Sequence, residues 1–514
     1  MTTRRELATL VVAAGALRGA FGPGAALAQP LTGTLAPPVF RYSTPMPPGV
    51  LSPPTVETRF GRLNLFDGMP DATATHAIYD NLDYQRAVQA FLLGLPAVNQ
   101  AANLAAIRTV GPVNSTVPIW ERLVDSRTVE LTANDNTPYT WFWVDLRGGP
   151  LVVEVPPRVL GLIDDMYYNW VIDVGLTGPD RGRGGKYLLL PPNHRGQVPQ
   201  GYHVVRPRTF SNWFAWRSFL ENGDPKPGVD AVKRSTKIYP LARAANPPRL
   251  TFVDMSERPF NMVGPSDFRF WEMLNGVVQN EPSDASDPTT LGFFASIGIQ
   301  KGRPFQPDAR MRAILTEAAA AGDATARALA YRARDAEARI FADRRWRYAF
   351  QGGYKFEWQP GVTNLDARAF FFQLATGVTP AMDTRIVGEG STYPWTAEDA
   401  NGNAFDGGKT YRLHLPGPVP VRTFWSVIVY DTQTRSMLQT NNRFPSVSSQ
   451  NRGVQANADG SVDVWFGPTA PPGHESNWIQ TIPGKSWFMI LRLYGPLQPW
   501  FDRSWKPGDI EPVG

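Results

Sequence analysis

The chain has 514 residues, of which 42% are hydrophobic and 19% are charged, with a formal net charge of +5. This length is too great for one hydrophobic core and predicts about two to four domains, while the composition excludes an intrinsically disordered chain. No run of basic residues interleaves with aromatics, which excludes a nucleic-acid-binding surface. The absence of cysteine excludes disulfides, thiolate nucleophiles and cysteine-bound metals.

Residues 1–28 have the features of an export signal. Arg4 and Arg5 precede a short, weakly apolar stretch, and the small-x-small pattern that ends at Ala28 is typical of a signal-peptidase site. The arginine pair favours the twin-arginine route, and cleavage near Ala28 would release the protein into the periplasm or the medium. Arg18 interrupts the apolar stretch, which is too short for a stable transmembrane span. The alternative is a disordered N-terminus.

Two segments precede the first predicted β-domain. Residues 29–57 form a Pro-rich leader without apolar periodicity. Residues 58–127 form a helical N-terminal segment, because apolar residues recur at three- and four-residue spacing from Asp71 to about Val110. Pro96 is expected to break this helix, which can resume after it.

Residues 128–256 change to a period of two. Seven short β-branched or aromatic runs, separated by Gly, Pro, Asn and Asp, predict an antiparallel β-sandwich. Within this region the segment "FSNWFAWRSFLEN" predicts one helix.

A helical segment is predicted over 257–350 and a second β-domain over 351–514. Ser266, Asp287 and Asp308 are predicted helix caps, and Gly322 is expected to end a helix before another begins. The C-terminal strands, separated by turns rich in Gly, Asn and Asp, predict a jelly-roll-like domain. The predicted fold class is therefore mainly β with helical segments.

Several common chemistries lack their motifs. The chain has no nucleophile elbow, zinc-protease motif, Walker A loop or Rossmann fingerprint. The five histidines form no H-x-H pair, so no metal site is predicted, and the cofactor is unknown. The segment from Asp399 to Asp406 predicts a hairpin turn rather than a calcium loop, because no glutamate closes it.

Carboxylate, amide and basic side chains concentrate around the turns of the first β-domain, where two carboxylates near a basic group could perform general acid/base catalysis. The candidate catalytic residues are Asp135, Asp164, Asp165, Asp173, Arg183 and Lys186. The candidate ligand-binding residues are Asn134, Asn136, Tyr139 and Arg181. The alternative is that these side chains only close turns by bonding to the backbone, with the stretch from Asn134 to Thr137 forming a corner before a strand.

Long phrases resemble an exported bacterial family that joins domain of unknown function 1254 to domain of unknown function 1214. The first is represented by "LTANDNTPYTWFWVDLRGGPLVVEVPPRVLGLIDD" and "GPDRGRGGKYLLLPPNHRGQVPQGYHV", the second by "YPWTAEDANGNAFDGGKTYRLHLPGPVPVRTFWSVIVYD" and "LRLYGPLQPWFDRSWKPGDIEPV". The resemblance implies an immunoglobulin-like sandwich, a helical insertion and a jelly-roll-like C-terminal domain, but no reaction. Related sequences commonly have N-x-D-T-x-Y at the corner, where this chain has Asn136 in place of the aspartate.

Two functional hypotheses follow. The first is a periplasmic hydrolytic enzyme that acts on a polar or carbohydrate-like small molecule between the two β-domains. The second is a non-catalytic ligand-binding or envelope-associated protein, in which tryptophans line a groove. The sequence leaves open whether the protein is an enzyme, and its oligomeric state is unknown.

Overall fold

The structure is a computed structural model that describes residues 39–383 and 385–513. The predicted export signal at 1–28 and the first part of the predicted leader lie outside the described residues. The described chain separates into two compact units. Residues 39–88 and 307–318 form the first unit, and residues 89–306 and 319–513 form the second.

The first unit contains a small antiparallel sheet and the beginning of a long helix. The strands are β1 (Thr55–Thr58), β2 (Gly61–Phe66) and β3 (Met69–Pro70), and the helix is α1 (Ala72–Val110). Asp71 caps the helix, because the Ala74 N–H donates to its Oδ1 atom over 2.7 Å. Arg310 forms ion pairs with Asp80 at 2.6 Å and with Asp83 at 2.7 Å.

Helix α1 continues through Pro96, so the predicted break is wrong. Leu95, Ala97 and Val98 are all at most 5% exposed, and their burial outweighs the cost of about 3 kcal/mol that an interior proline imposes. Among the described residues, α1 is the one helix long and apolar enough to cross a membrane, yet 78% of its apolar window is buried inside the protein. It therefore gives no clear transmembrane span.

The N-terminal part of the second unit has two main sheets that enclose one apolar core. The six-stranded sheet has the order β14-β4-β6-β12-β8-β9, and the four-stranded sheet has the order β11-β10-β7-β13. A two-stranded sheet joins β15 to β5. The strands are β4 (Thr116–Ile119), β5 (Thr128–Val129), β6 (Tyr139–Asp145), β7 (Leu151–Val155), β8 (Leu160–Asp165), β9 (Trp170–Gly175), β10 (Gly185–Leu189), β11 (His203–Val205), β12 (Ser211–Arg217), β13 (Lys237–Pro240), β14 (Thr251–Asp254) and β15 (Phe260–Asn261).

This region is a layered β-structure, as predicted, but not a purely antiparallel one. Phe142 and Phe214 from the six-stranded sheet share a core with Val153 and Tyr187 from the four-stranded sheet. The pairs β4–β14 and β10–β11 are parallel. Long connections between these strands allow parallel pairing, which the two-residue period could not reveal.

The predicted helix over "FSNWFAWRSFLEN" is wrong, because Ser211–Arg217 form the strand β12. This strand pairs with both β6 and β8 at the centre of the six-stranded sheet. All seven of its residues are buried, so the apolar residues occupy both faces and resemble a buried helix in the sequence.

The remaining helices contain both confirmed and incorrect predictions. They are α2 (Lys226–Ser235), α3 (Arg269–Asn280), α4 (Pro288–Ser296), α5 (Ala309–Tyr331), α6 (Leu365–Leu374) and α7 (Gln498–Phe501). Asp287 and Asp308 cap α4 and α5 as predicted, whereas Ser266 does not cap α3. Helix α5 runs through Gly322 rather than ending there, and the second helix predicted over 323–346 is its continuation only as far as Tyr331, so the prediction for 332–346 is wrong.

The C-terminal part of the second unit has two further main sheets around a separate apolar core. A five-stranded sheet has the order β18-β25-β21-β22 with β19 also on β25, and a four-stranded sheet has the order β24-β23-β20-β26. The strands are β16 (Glu357–Gln359), β17 (Val362–Thr363), β18 (Ser391–Thr392), β19 (Trp395–Thr396), β20 (Thr410–Leu415), β21 (Val421–Asp431), β22 (Ser446–Ser448), β23 (Val462–Gly467), β24 (Trp478–Gln480), β25 (Trp487–Pro496) and β26 (Ile510–Val513).

The fold is mixed rather than mainly β, with 26% helix and 27% strand in several sheets. The β-rich character and the helices between the β-regions agree with the predicted order. The expectation of a mainly β chain underestimated the helices, because α2 and α6 lie inside the regions that were predicted as β-domains.

A substitution at Gly322 tests whether packing or helix propensity has the larger effect on the stability of the protein at this position of α5. A Cβ atom at this position would lie 2.6 Å from the Phe91 ring and 2.8 Å from the Phe91 Cβ. Gly322→Ala should therefore lower the free energy of unfolding, although propensity alone would raise it by about 1 kcal/mol. Gly276→Ala in α3 is the control, because nothing lies within 4 Å of its added Cβ, and it should stabilise. Urea denaturation of both variants measures the sign, and stabilisation by Gly322→Ala would contradict the packing argument.

Candidate functional site

Two sheets of the second unit each have one apolar face and one face rich in polar and aromatic residues. In β12, Phe214 and Trp216 enter the apolar core, so Trp213 and Arg217 lie on the opposite face. In β25, Leu491 and Leu493 enter the C-terminal core, so Arg492 and Tyr494 lie on the opposite face. The polar faces meet, because the Arg217 guanidinium lies 5.3 Å from the centre of the Tyr494 ring.

We call the side chains at this meeting point the arginine–tyrosine layer. It comprises Arg217, Arg492, Tyr139, Tyr393, Tyr430 and Tyr494. All of these side chains are buried except Tyr139, which is partly exposed.

Arg492 joins the C-terminal sheet to the predicted corner. Its Nη2 atom donates to the Thr132 carbonyl over 2.7 Å and to the Tyr430 hydroxyl over 2.9 Å. The Tyr430 hydroxyl donates in turn to the Ala133 carbonyl over 2.8 Å. The same guanidinium lies 5.3 Å from the centre of the Tyr393 ring. Arg492 is 6% exposed, so these contacts hold a positive charge away from water.

The groups that interact most strongly with the two guanidiniums are phenols rather than carboxylates. Tyr139, Tyr393 and Tyr494 act on both Arg217 and Arg492. A phenol in its protonated form supplies a dipole and a ring face but no negative charge. Burying a charge is costly unless it is paired, which leaves this layer electrostatically suited to an anion.

The corner forms as the sequence predicts, and it forms one wall of the layer. The Asn134 Oδ1 atom accepts from the Asn136 N–H over 3.2 Å, and its amide nitrogen lies 3.4 Å from both the Thr137 and the Tyr139 hydroxyls. These bonds close the turn before β6. The four residues from Asn134 to Thr137 are at most 5% exposed.

Asp135 is not one of the six residues of the layer, but its carboxylate adjoins the layer and is influenced by Arg492. Burial raises its pKa to about 6, although Ser446 and Arg492 oppose the rise. Neither of its oxygens has a hydrogen-bond partner among the described residues. Other buried polar atoms in this neighbourhood also lack partners there, namely Asn136 Oδ1, Ser426 Oγ, Arg492 Nε and the Tyr494 hydroxyl.

These unpartnered atoms belong to neighbouring positions. Ser426 lies directly opposite Arg492 in the β21–β25 ladder, and Tyr494 is two residues further along β25. Buried polar groups normally have partners, so such a concentration indicates a place that receives a polar molecule.

A cavity of about 240 Å³ adjoins the layer. Its lining includes Tyr348, Phe350, Tyr393 and Arg503. Tyr393 belongs to both features, because it lines the cavity and its ring also contacts the Arg492 guanidinium. A small molecule in the cavity would therefore be one side chain away from the buried charges.

The remaining predicted carboxylates lie in other environments. Asp164 accepts from the Val378 N–H over 2.9 Å, and Asp173 accepts from the Thr379 hydroxyl over 2.5 Å. Burial raises the pKa of Asp164 well above its usual value, and Asp173 adds to the rise. The two carboxyls thus hold the segment that leads to the C-terminal sheets.

Glu130 and Asp164 both act on the Tyr168 phenol, and Asp173 acts on Asp164. We therefore call these three carboxyls the acidic cluster, although they form no group that could hold a metal ion. Burial raises the pKa of Glu130 to about 8, and the Thr376 hydroxyl opposes this rise only in part. Thr376 also bonds to the Tyr168 hydroxyl. Sequence reasoning did not select Glu130, because nothing in "TVELTA" distinguishes a buried glutamate from an exposed one.

Asp165 closes a turn. Its carboxylate accepts from the backbone N–H groups of Tyr167 at 2.8 Å and Asn169 at 2.9 Å, and from the Asn169 amide. Burial raises its pKa to about 6 against these bonds. Its geometry is that of an Asx turn, the alternative considered from the sequence.

Two of the predicted basic residues, Arg181 and Arg183, lie in a glycine-rich loop, and Lys186 lies at the start of the following strand, β10. Arg181, Arg183 and Lys186 are exposed. The buried Asp180 organises this loop, because it accepts from the Gly175 and Gly184 N–H groups at 2.8 and 3.1 Å. The predicted site residues are therefore distributed over the corner, the acidic cluster, one turn and one exposed loop with the strand that follows it.

The strongest charges at the site, Arg217 and Arg492, were missed by sequence reasoning. A signal for Arg492 was present, since it interrupts the apolar run "WFMILRLYGP", all of which is buried. A charged residue inside a buried strand requires a specific partner. Among the described residues, no group of three metal-ligating side chains is present.

The chain contains two known family domains. Residues 114–240 match the family described as protein of unknown function DUF1254, and residues 390–498 match the one described as protein of unknown function DUF1214. The chain therefore combines these two domains in the N- to C-terminal order that its phrases indicated. The arginine–tyrosine layer takes Tyr139 and Arg217 from the first domain and the other four residues from the second.

One solved structure with a TM-score above 0.5 shows the fold alone, and a second has a lower score. The crystal structure of the VPA0106 protein from Vibrio parahaemolyticus has a TM-score of 0.51 and 19% identity, covering 84% of this chain and 100% of that chain. An uncharacterised protein from Burkholderia cenocepacia has a TM-score of 0.39 and 14% identity, covering 86% of this chain and 97% of that one. No match was found among curated proteins.

The acidic cluster should make stability depend on pH. The pKa of Glu130 is about 8 in the folded protein against about 4.5 in the unfolded chain. Its contribution is fully present below pH 4.5 and is lost as pH rises through 8, because deprotonation buries a charge. Glu130→Gln should therefore lose less stability than the wild type between pH 5 and pH 9, measured by urea unfolding (roughly 1.4 kcal/mol per pKa unit).

Glu272→Gln is the matched control for this measurement. Glu272 is exposed on α3, so removal of its charge should leave the pH slope of the wild type unchanged. Equal slopes for the wild type and Glu130→Gln would contradict a buried, protonated Glu130.

Proposed function

We propose that the protein binds a small acidic molecule in the arginine–tyrosine layer, with a carboxylate or phosphate group against Arg217 and Arg492. The observation that supports this most is the pair of buried guanidiniums, each of which lies 5.3 Å from the centre of a tyrosine ring. Arginine presents several N–H donors in a planar fork that matches a carboxylate or phosphate. The unpartnered polar atoms beside Arg492 supply further groups for a polar ligand.

The cavity that shares Tyr393 with the layer has a volume suited to a small molecule. Its aromatic walls, which include Phe350 and Trp500, favour a ligand with some apolar or ring surface. A sugar acid combines such a ring surface with a carboxylate. This agrees with the carbohydrate-like ligand expected from the sequence.

Charge should distinguish the ligands of this site. Glucuronate is expected to raise the thermal unfolding temperature of the purified protein, whereas glucose, its neutral analogue, should not. Arg217→Gln and Arg492→Gln should each weaken glucuronate binding about tenfold or more in calorimetry, because each removes charge-assisted hydrogen bonds. Succinate and inorganic phosphate test the two anionic groups separately.

Arg334→Gln provides the matched control, since its side chain is 84% exposed and pairs only with Asp366 at the surface. It removes the same charge and should leave binding unchanged. Equal binding of glucose and glucuronate, or equal loss in all three arginine variants, would contradict recognition by the buried layer.

A hydrolase is the second proposal, and Asp135 is its best-supported residue. Its pKa of about 6 and two unpartnered oxygens suit a general acid or base. Glycoside hydrolysis usually needs two carboxyl groups, and among the described residues this one adjoins the layer. This geometry favours binding over that particular reaction.

Asp135→Asn separates hydrolysis from binding. A glucuronide with a chromogenic leaving group should be cleaved by the wild type and not by the variant, while glucuronate binding should persist because Arg217 and Arg492 remain. No cleavage by either protein would eliminate the hydrolase proposal and leave the binding proposal standing. Export through the twin-arginine route also stays a proposal, which N-terminal sequencing of the protein from a periplasmic extract would test.

A further inference from the structure

Tyr139 differs from the other phenols of the layer in its access and hydrogen bonding. It is partly exposed, whereas Tyr393, Tyr430 and Tyr494 are at most 7% exposed. The Tyr139 oxygen lies 3.4 Å from the Asn134 amide nitrogen, which can only donate to it. Tyr139 is therefore the most exposed of the four tyrosines, whereas Tyr393 is the one that lines the cavity.

The sheet register sets the charge around this phenol. Tyr139 lies directly opposite Arg217 in the β6–β12 ladder, so both side chains project from the same face about 5 Å apart at Cβ. Arg492 approaches from the C-terminal sheet, through its bond to the Thr132 carbonyl. The Tyr139 phenol is thus influenced by two positive charges from different domains.

The charged and hydrogen-bonding groups around Tyr139 favour the ionised form of its phenol. Burial alone would raise the pKa of the phenol, but Arg217 and Arg492, with bonds from Asn134 and Thr137, outweigh burial and lower it. The neighbouring phenol of Tyr494 has its pKa raised, mainly by burial. The two guanidiniums and the bonds from Asn134 and Thr137 therefore favour the ionised form of the Tyr139 phenol, an arrangement that is typical of a proton-transfer site.

We propose that Tyr139 is the proton acceptor of the arginine–tyrosine layer, which makes this layer a reaction site for a weakly acidic small molecule. The inference rests on the proposed binding function and goes beyond it. The Tyr139 phenolate takes a proton from an O–H group, or from a C–H group next to a carbonyl, of the bound molecule. The tyrosine O–H bond forms, the ligand's bond to hydrogen breaks, and the electron pair stays on the ligand.

The two guanidiniums then have separate roles. One pairs with the carboxylate or phosphate that the ligand already carries, and the other stabilises the negative charge that develops when the proton leaves. Before the transfer, this second guanidinium interacts with the Tyr139 phenolate. After the transfer, it interacts with the ligand anion, so the net charge of the layer and ligand together does not change. Positioned positive charge of this kind stabilises the product of proton abstraction.

The first test measures the ionisation of Tyr139 without a substrate. In an ultraviolet difference titration of the full chain, one tyrosine should ionise below the usual phenol pKa of about 10, and this transition should be missing in Tyr139→Phe. Tyr79→Phe is the control, because Tyr79 is 58% exposed and lies outside the layer. Its titration should keep the early transition.

The second test measures reactivity. An aryl sulfonyl fluoride transfers its sulfonyl group to a phenolate oxygen with loss of fluoride, so the site of labelling reports the phenolate fraction. Mass spectrometry of the digested protein should find Tyr139 labelled faster than Tyr79, by about tenfold for each unit of pKa lowering. Arg217→Gln should slow labelling at Tyr139 and leave labelling at Tyr79 unchanged.

The outcomes are distinguishable even if a variant does not fold, since the wild-type comparison of Tyr139 with Tyr79 needs no substitution. Absence of an early transition, together with labelling at Tyr139 no faster than at Tyr79, would overturn the inference. If glucuronate still bound in that case, the binding function would stand without the reaction. A reactive Tyr139 in a protein that binds none of the anions would remove the proposed ligand class instead.

Discussion

The structure of the second unit depends on how it accommodates two buried guanidiniums. An arginine cannot shed its proton at physiological pH, so Arg217 and Arg492 stay charged wherever the fold places them. The Thr132 carbonyl and the Tyr430 hydroxyl accept hydrogen bonds from Arg492, and tyrosine ring faces cover both guanidiniums. A hydrophobic interface between the two sheets is incompatible with these charges, and a polar layer results.

The arginine–tyrosine layer and the acidic cluster have different roles in the second unit. The cluster bonds to the backbone of Val378 and the hydroxyl of Thr379, and so attaches the segment before the C-terminal sheets to the first β-region. Burial raises the pKa of each of its carboxyls, and the bonds to Val378 and Thr379 suit attachment. Both places keep buried polar atoms without partners among the described residues, but only the layer combines them with two buried guanidiniums, which suits recognition of an anionic ligand. Buried ionisable groups therefore attach a chain segment in the acidic cluster and are suited to ligand recognition in the layer.

Sequence reasoning located the corner but not the groups opposite it. Asn134 and its neighbours follow local rules, because an Asx turn bonds side chain to backbone within a few residues. Arg217 and Arg492 follow no local rule, since each is a single charge in an apolar strand. Their roles depend on register, which sets Arg217 opposite Tyr139 and Arg492 opposite Ser426. The sequence therefore predicted one side of the candidate site, namely the corner with Asp135 and Tyr139, but not the two arginines.

The sequence by itself determined the two family domains, the absence of thiol chemistry, the helix caps at Asp287 and Asp308 and most of the strands, because these depend on composition or on neighbouring residues. Only the tertiary structure decided that α1 passes through Pro96, that Ser211–Arg217 form a strand and that two charged faces meet. The physical reason is that periodicity shows which face of an element is apolar, whereas burial energy from distant contacts decides what packs against it and can override a local break or preference.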